Sequence, residues 1–172
     1  MSIRAVRCLS ISTAAAVLVA AVFFPREPCL TLRARDGRVV ATYALDRREP
    51  RFQIAYRHSV ARLPAIEYFR ASNRGLELYK TSYQGLGAGL PFGTEGGVVR
   101  LEDGWIVIEE LRRSFPSVTL SPMPLTEHRL RIGGREVDLA ALSASRALTL
   151  RIESKSLVGR LVFGRRMGYI KP

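Results

Sequence analysis

Cysteine is almost missing from these 172 residues, with Cys8 and Cys29 the only two. That is too few for a disulfide-stapled miniprotein or a four-thiolate zinc site, so packing must hold the fold. Histidine is as scarce: His58 and His128 stand seventy positions apart, with no His-x-His or His-x-x-x-His beside either. No dedicated metal site is expected from that spacing, and the glutamates and aspartates at 102–103 and 109–110 lack the frame of a calcium loop. Beyond the first 25 or so positions there is no uninterrupted apolar run, which excludes a multi-span carrier. Nor is there a lysine-bearing phosphate loop, a Gly-x-Gly-x-x-Gly opening a helix, or a Gly-x-Ser-x-Gly elbow, so no cofactor is expected.

What remains has the makeup of one globular domain, 47% hydrophobic and 24% charged. Net charge is +12, from 27 basic and 15 acidic residues. Of the cations only Lys80, Lys155 and Lys171 are lysine, and acids are interleaved with them almost throughout. A nucleic acid is therefore not expected as a partner. The exception is the tail, where Arg160, Arg165, Arg166 and Lys171 follow the last acid, Glu153. That cluster reads as a solvated basic surface, with a lipid-headgroup contact as the alternative.

Arg4 and Arg7 precede an apolar stretch, Leu9 to Phe24, which ends at Pro25, Arg26 and Glu27. A charged segment before an apolar one is the pattern of an export signal. Sixteen helical residues reach about 24 Å against a hydrocarbon core of roughly 30 Å, so a cleaved signal peptide and a short retained anchor both stay open. Residues 1–28 are assigned to that signal or anchor helix and 29–172 to an exported domain. The positive flank places the domain on the periplasmic side of the cytoplasmic membrane. Cys29 would suit lipid attachment were it not preceded by Arg26, Glu27 and Pro28; a lone thiol is expected instead.

From residue 29 the apolar positions alternate. Leu30, Leu32 and Ala34, then Val39, Ala41 and Tyr43, flank Asp36-Gly37, a hairpin signal. Phe52 to Val60 and Ala65 to Arg70 suggest a second hairpin. Leu76–Tyr83, Val98–Leu101, Trp105–Glu109, Val118–Leu120, His128–Ile132, Leu148–Ile152 and Leu157–Phe163 continue the series. About ten short strands predict a mostly all-β fold, an antiparallel β-sandwich or open barrel. Val137, Leu139, Ala140 and Leu142 predict one short C-terminal helix within Glu136–Arg146.

If the second hairpin turns about Arg62 and Leu63, opposed residues sum to 125. His58 then faces Glu67, an arrangement for a proton or anion site, or for two groups satisfying each other in a half-buried face. Ser59 points to the other side of the strand from His58, which argues against a serine hydrolase. Gly85 to Gly97 holds six glycines in thirteen residues, a shaped loop whose backbone could also approach a ligand closely.

Tyr56-Arg-His58-Ser59-Val60, followed by Pro64, Glu67 and Gly87-Ala-Gly89-Leu-Pro91, resembles the domain of unknown function 1850 family, small exported or membrane-tethered bacterial proteins. The resemblance spans roughly residues 29–132 and implies association with tripartite periplasmic transporters of the TAXI type, beside which such proteins are commonly encoded. It brings no established activity. The family motif falls on His58, Ser59, Glu67, Gly87, Gly89 and Pro91, which become the candidate ligand-binding residues. The expected protein is a non-enzymatic accessory domain that binds a permease, a solute-binding protein or a small acidic solute. The alternatives are an enzyme using His58 and Glu67 as an acid–base pair, and a structural envelope protein.

Overall fold

A computed structural model describes residues 27–85, 96–144 and 146–155. The chain divides into two compact units, and the strands lie essentially in the one formed by Pro28–Glu153. The N-terminal signal or anchor, the glycine-rich segment 86–95, the expected strand Leu157–Phe163 and the basic tail lie outside the described residues.

The expected Asp36-Gly37 turn joins β1 (Glu27–Ala34) to β2 (Val39–Ala44). Gly37 takes φ +81°, and the Asp36 carboxylate accepts from the Arg38 N–H at 2.9 Å. A short polar loop leads to β3 (Arg51–Arg57), β4 (Pro64–Ser72) and β5 (Gly75–Gln84), three antiparallel neighbours. Then come β6 (Val98–Glu102), β7 (Trp105–Glu109), β8 (Arg113–Phe115) and β9 (Val118–Leu120). A single 3-10 turn at Pro124–Thr126 precedes β10 (Arg129–Ile132), β11 (Arg135–Asp138), helix α1 (Leu139–Ser143) and β12 (Leu148–Lys155).

These strands form two antiparallel sheets. The smaller has the order β2-β1-β12-β9; the larger runs β11-β10-β3-β4-β5-β7-β6, with β8 also on β5. Both contribute to one core. Leu30, Leu32, Leu148 and Leu150 come from the small sheet, and Phe52, Ile54, Phe69, Leu76, Leu78, Leu130 and Ile132 from the large one. Most of these side chains are entirely removed from water, each contributing roughly 1.5–3 kcal/mol of transfer free energy. The fold is therefore the sandwich of the two architectures expected. Cys29 is a buried thiol at 0% exposure, paired in register with Ala44, so a lipid chain on its sulfur would have to displace core.

Tyr68 pairs with Lys80 but Phe69 with Leu78, so Tyr79 is a bulged extra residue. Leu76 and Leu78 before it, and Thr81 and Tyr83 after it, all face the core. On the opposite face the Tyr79 ring lies near the guanidinium groups of Arg51 and Arg70, at 5.1 and 5.7 Å from its centroid.

One short helix is present as expected, but its extent is corrected. The helix foreseen over Glu136–Arg146 is shorter, because its first residues form β11 and pair with β10 across Gly133-Gly134, where both glycines have positive φ. Helix α1 starts only at Leu139, capped by the Asp138 carboxylate accepting from the Ala141 N–H at 3.0 Å. Strand β8 was not foreseen, since three residues reading Arg-Ser-Phe carry no period.

Candidate functional site

Between β3 and β4 the register pairs Arg57 with Pro64, Ile54 with Glu67 and Arg51 with Arg70. Opposed residues sum to 121, so the turn is centred two positions earlier than the sequence suggested. The loop is Ser59–Arg62, closed by the His58 N–H to the Leu63 carbonyl at 2.9 Å and by the Arg62 N–H to the His58 carbonyl at 2.9 Å. Arg62 takes φ +59°, the strained position that glycine normally fills.

The proposed His58–Glu67 pair is therefore not formed. The His58 Nδ1 accepts from the Ala61 N–H at 3.3 Å, so its ring holds its own turn. Ser59 and Val60 are exposed at the tip, Val60 at 73%. Arg57 braces the tip from its flank, donating to the Arg62 carbonyl at 3.4 Å and pairing with Glu127 at 3.2 Å. Of the other motif residues, Gly87, Gly89 and Pro91 lie outside the described residues.

Glu67 sits elsewhere, on the core-facing side of the large sheet. Its row across the strands runs Leu130, Ile54, Glu67, Thr81 and Ile108. The next row holds Tyr56, Ala65, Tyr83 and Ile106. Extending the β3–β10 register by one step brings His128 opposite Tyr56, and the two rings stack with centroids 5.2 Å apart at 11°. The Tyr56 hydroxyl donates to the Glu67 carboxylate at 3.3 Å.

His128 is fixed from behind. Its carbonyl accepts from the Leu139 N–H at the start of α1, at 3.0 Å. Its Nδ1 lies 2.7 Å from the hydroxyl of Thr126, a buried residue in the 3-10 turn. That hydroxyl also accepts from the Met123 N–H at 3.2 Å and reaches the Met123 carbonyl at 3.0 Å. One hydroxyl proton thus serves two acceptors in turn, and the imidazole tautomer decides which.

Burial governs the protonation of this cluster. Loss of water around Glu67 raises its carboxyl above the usual glutamate range, partly offset by the Tyr56 hydroxyl. Burial, then the neighbouring Glu67 charge and hydrogen bond, push the Tyr56 phenol upward, so it stays a donor over the whole accessible pH range. Burial moves His128 the other way, favouring the neutral ring. A carboxyl that holds its proton more readily than usual thus lies beside a phenol and a neutral imidazole stacked on that phenol. Such a cluster can accept, hold and share protons, and its three residues are half-buried, with the Tyr56 hydroxyl bonded to Glu67 and the Thr126 hydroxyl to His128.

The sequence reading found Glu67 but not its companions. Tyr56 was read as a strand residue and His128 was weighed only as a metal ligand. The pattern that joins them is one of register, visible only when the turn is centred correctly. Among the described residues no group of three or more His, Cys, Asp and Glu side chains could hold a metal ion.

These features define a small two-sheet β-sandwich with a tyrosine–glutamate–histidine cluster on its inner face and an exposed, hydrogen-bonded hairpin tip at the same end of the sheet. The chain belongs to the family described as Domain of unknown function (DUF1850), whose model matches residues 52–139. That span begins in β3 and closes at the start of α1, so it contains both the tip and the half-buried cluster. No curated protein and no solved structure matches the chain.

Proposed function

We propose that this is a non-enzymatic accessory domain on the periplasmic side of the cytoplasmic membrane, delivered or tethered by residues 1–28, which docks a component of a tripartite solute transporter through the Ser59–Arg62 tip. The observation that carries the reading is where the motif His58-Ser59-Val60 falls. Its histidine holds a turn, and its next two residues project into water on a braced, preorganised loop. An exposed valine at the end of a hairpin closed by its own hydrogen bonds is the kind of apolar knob that enters a pocket on a partner protein, and those bonds reduce the ordering entropy lost on binding.

A small acidic solute is a weaker occupant, because Glu67 is a carboxyl turned toward the core and the His58 Nδ1 is already engaged. The acid–base reading of His58 with Glu67 loses its geometry, since the two groups belong to different assemblies. A purely structural envelope protein is separated by experiment. Full-length tagged chain and its Val60→Asp variant are purified from native membranes, and bound proteins are identified by mass spectrometry. The reading expects a permease or solute-binding subunit with the wild type and its loss with Val60→Asp at unchanged melting temperature. Recovery of no transporter subunit, or equal recovery with the variant, overturns it.

A further inference from the structure

Strand β6 is one edge of the large sheet, and among the described strands it pairs only with β7. All five of its residues are exposed, including Val98 at 41%, Val99 at 49% and Leu101 at 77%. Edge strands are usually blunted by lysine, proline, bulges or cover, because open N–H and C=O groups recruit another strand. Here the edge is regular and carries three aliphatic side chains in five residues.

The turn that ends β6 fixes which groups are open. Asp103 and Gly104 form a two-residue loop with φ +48° and +80°, the left-handed pair of a type I′ hairpin. In such a hairpin the flanking residues, Glu102 and Trp105, exchange both backbone hydrogen bonds, and the pattern alternates from there. The backbone groups of Glu102, Arg100 and Val98 therefore point toward β7. Those of Val99 and Leu101 point outward.

From this we infer that β6 is a homodimer edge, pairing antiparallel with β6 of a second copy about a two-fold axis at Arg100. Val99 of each copy then lies opposite Leu101 of the other, and the outward N–H and C=O groups of both residues close four hydrogen bonds. The same pairing sets Val99 and Leu101 side chains against each other on the core-facing side, where they are otherwise wet. On the opposite side the two Arg100 side chains meet at the axis. Each keeps Glu109, 3.6 Å away, and gains Glu102 of the second copy one diagonal step off. Glu109 is itself paired with Lys80 at 3.0 Å, so the merged surface holds four cations and four carboxylates from these positions. A closed two-fold contact of this kind uses one patch twice and leaves no further edge to propagate from β6. It is separate from the hairpin tip and goes beyond the accessory reading.

The test is the mass of the full-length chain in mild detergent by sedimentation, expected at about twice 19.1 kDa and dissociating on dilution. Val99→Pro removes one outward N–H while leaving the bonds to β7 intact, and Leu101→Lys places a charge on the apolar side; each is expected to give monomer with unchanged melting. Residues at the axis should be roughly 4.5 Å apart at Cα, within disulfide reach. In a Cys8→Ser background, Arg100→Cys is expected to oxidise to a covalent dimer and Leu101→Cys to do so far less. A monomeric wild type overturns the inference, leaving the edge to some other partner. So does a dimer indifferent to both Val99→Pro and Leu101→Lys, which would place the contact elsewhere, and so does stronger cross-linking through Leu101→Cys than through Arg100→Cys.

Discussion

Replacing Tyr56 with Phe removes one oxygen and leaves the stacked ring in place, so it isolates the donor to Glu67. A hydrogen bond to a charged group contributes about 1.5–3 kcal/mol and one to a neutral group about 0.5–1.5. At 3.3 Å the bond is long, which favours the lower end of each range. The expected loss is thus about 1.5 kcal/mol where Glu67 is ionised and about 0.5 where it is protonated, or ~3–6 °C against ~1–2 °C in melting temperature for a domain of this size. The sign follows from linkage. Because burial raises the folded-state Glu67 carboxyl above its ordinary value of 4.5, the folded chain binds more protons than the unfolded one in that interval. The stability Glu67 contributes is complete below that ordinary value and is lost as pH climbs through the raised one. His128 runs the opposite way: burial lowers it from 6.5, so its contribution is complete above that value and fades as pH falls through the lowered one. Repeating Tyr56→Phe in a Glu67→Gln background separates the two groups, since only the Glu67 part of the pH dependence should vanish. Glu67→Gln alone is expected to melt higher than wild type at pH 8, having removed a poorly hydrated charge. Urea unfolding followed by the fluorescence of Trp105, the sole tryptophan, gives these differences at pH 4 and pH 8. Equal losses for Tyr56→Phe at both pH values, or a Glu67→Gln protein less stable than wild type at pH 8, would refute the account of the cluster.

Three further outcomes are expected. A chain lacking residues 1–26 should fold, because β1 begins at Glu27, whereas a cut after residue 28 should be weaker, since the Pro28 carbonyl accepts from the Leu45 N–H at 3.0 Å; circular dichroism melting compares the two. His58→Ala should cost about 0.5–1.5 kcal/mol by releasing the Ala61 N–H at the tip, and should reduce subunit capture by more than that loss of folding stability explains. Gly97→Ala should destabilise by more than 1 kcal/mol in denaturant titrations, because φ there is +107° and the new Cβ would stand 2.5 Å from the Glu109 carbonyl oxygen.

The parts of the fold legible in the sequence were those where two signals coincide. Leu30 and Leu32 alternate up to Asp36-Gly37 and Val39 resumes after it, so period and turn chemistry agree. The Ser59–Arg62 loop has no such agreement. Its left-handed residue is Arg62, and a β-turn without glycine or asparagine left the centre to be guessed from symmetry. The guess missed by two positions, which keeps every residue on its proper face but changes every partner. Val137, Leu139 and Leu142 suit a helix or a strand followed by a turn of helix, and the Gly133-Gly134 hairpin decides for the strand. His128 could not be joined to Tyr56 from the sequence because β3 and β10 are separated by more than seventy residues, and no local rule sets their register.

The unpaired Tyr79 acts as a detent. With one residue more on β5 than on β4 at that point, the strand reads as two phrases out of step, even positions inward before it and odd positions inward after it. Sliding β5 along β4 would require the kink to travel with it, so the ribbon cannot creep from one alignment to the next, and Thr81 stays beside Glu67. Deleting that one residue would leave Leu76, Leu78, Thr81 and Tyr83 all inward on an evenly alternating strand with the same β4 partners, and the catch that forbids a slip between alignments would be gone.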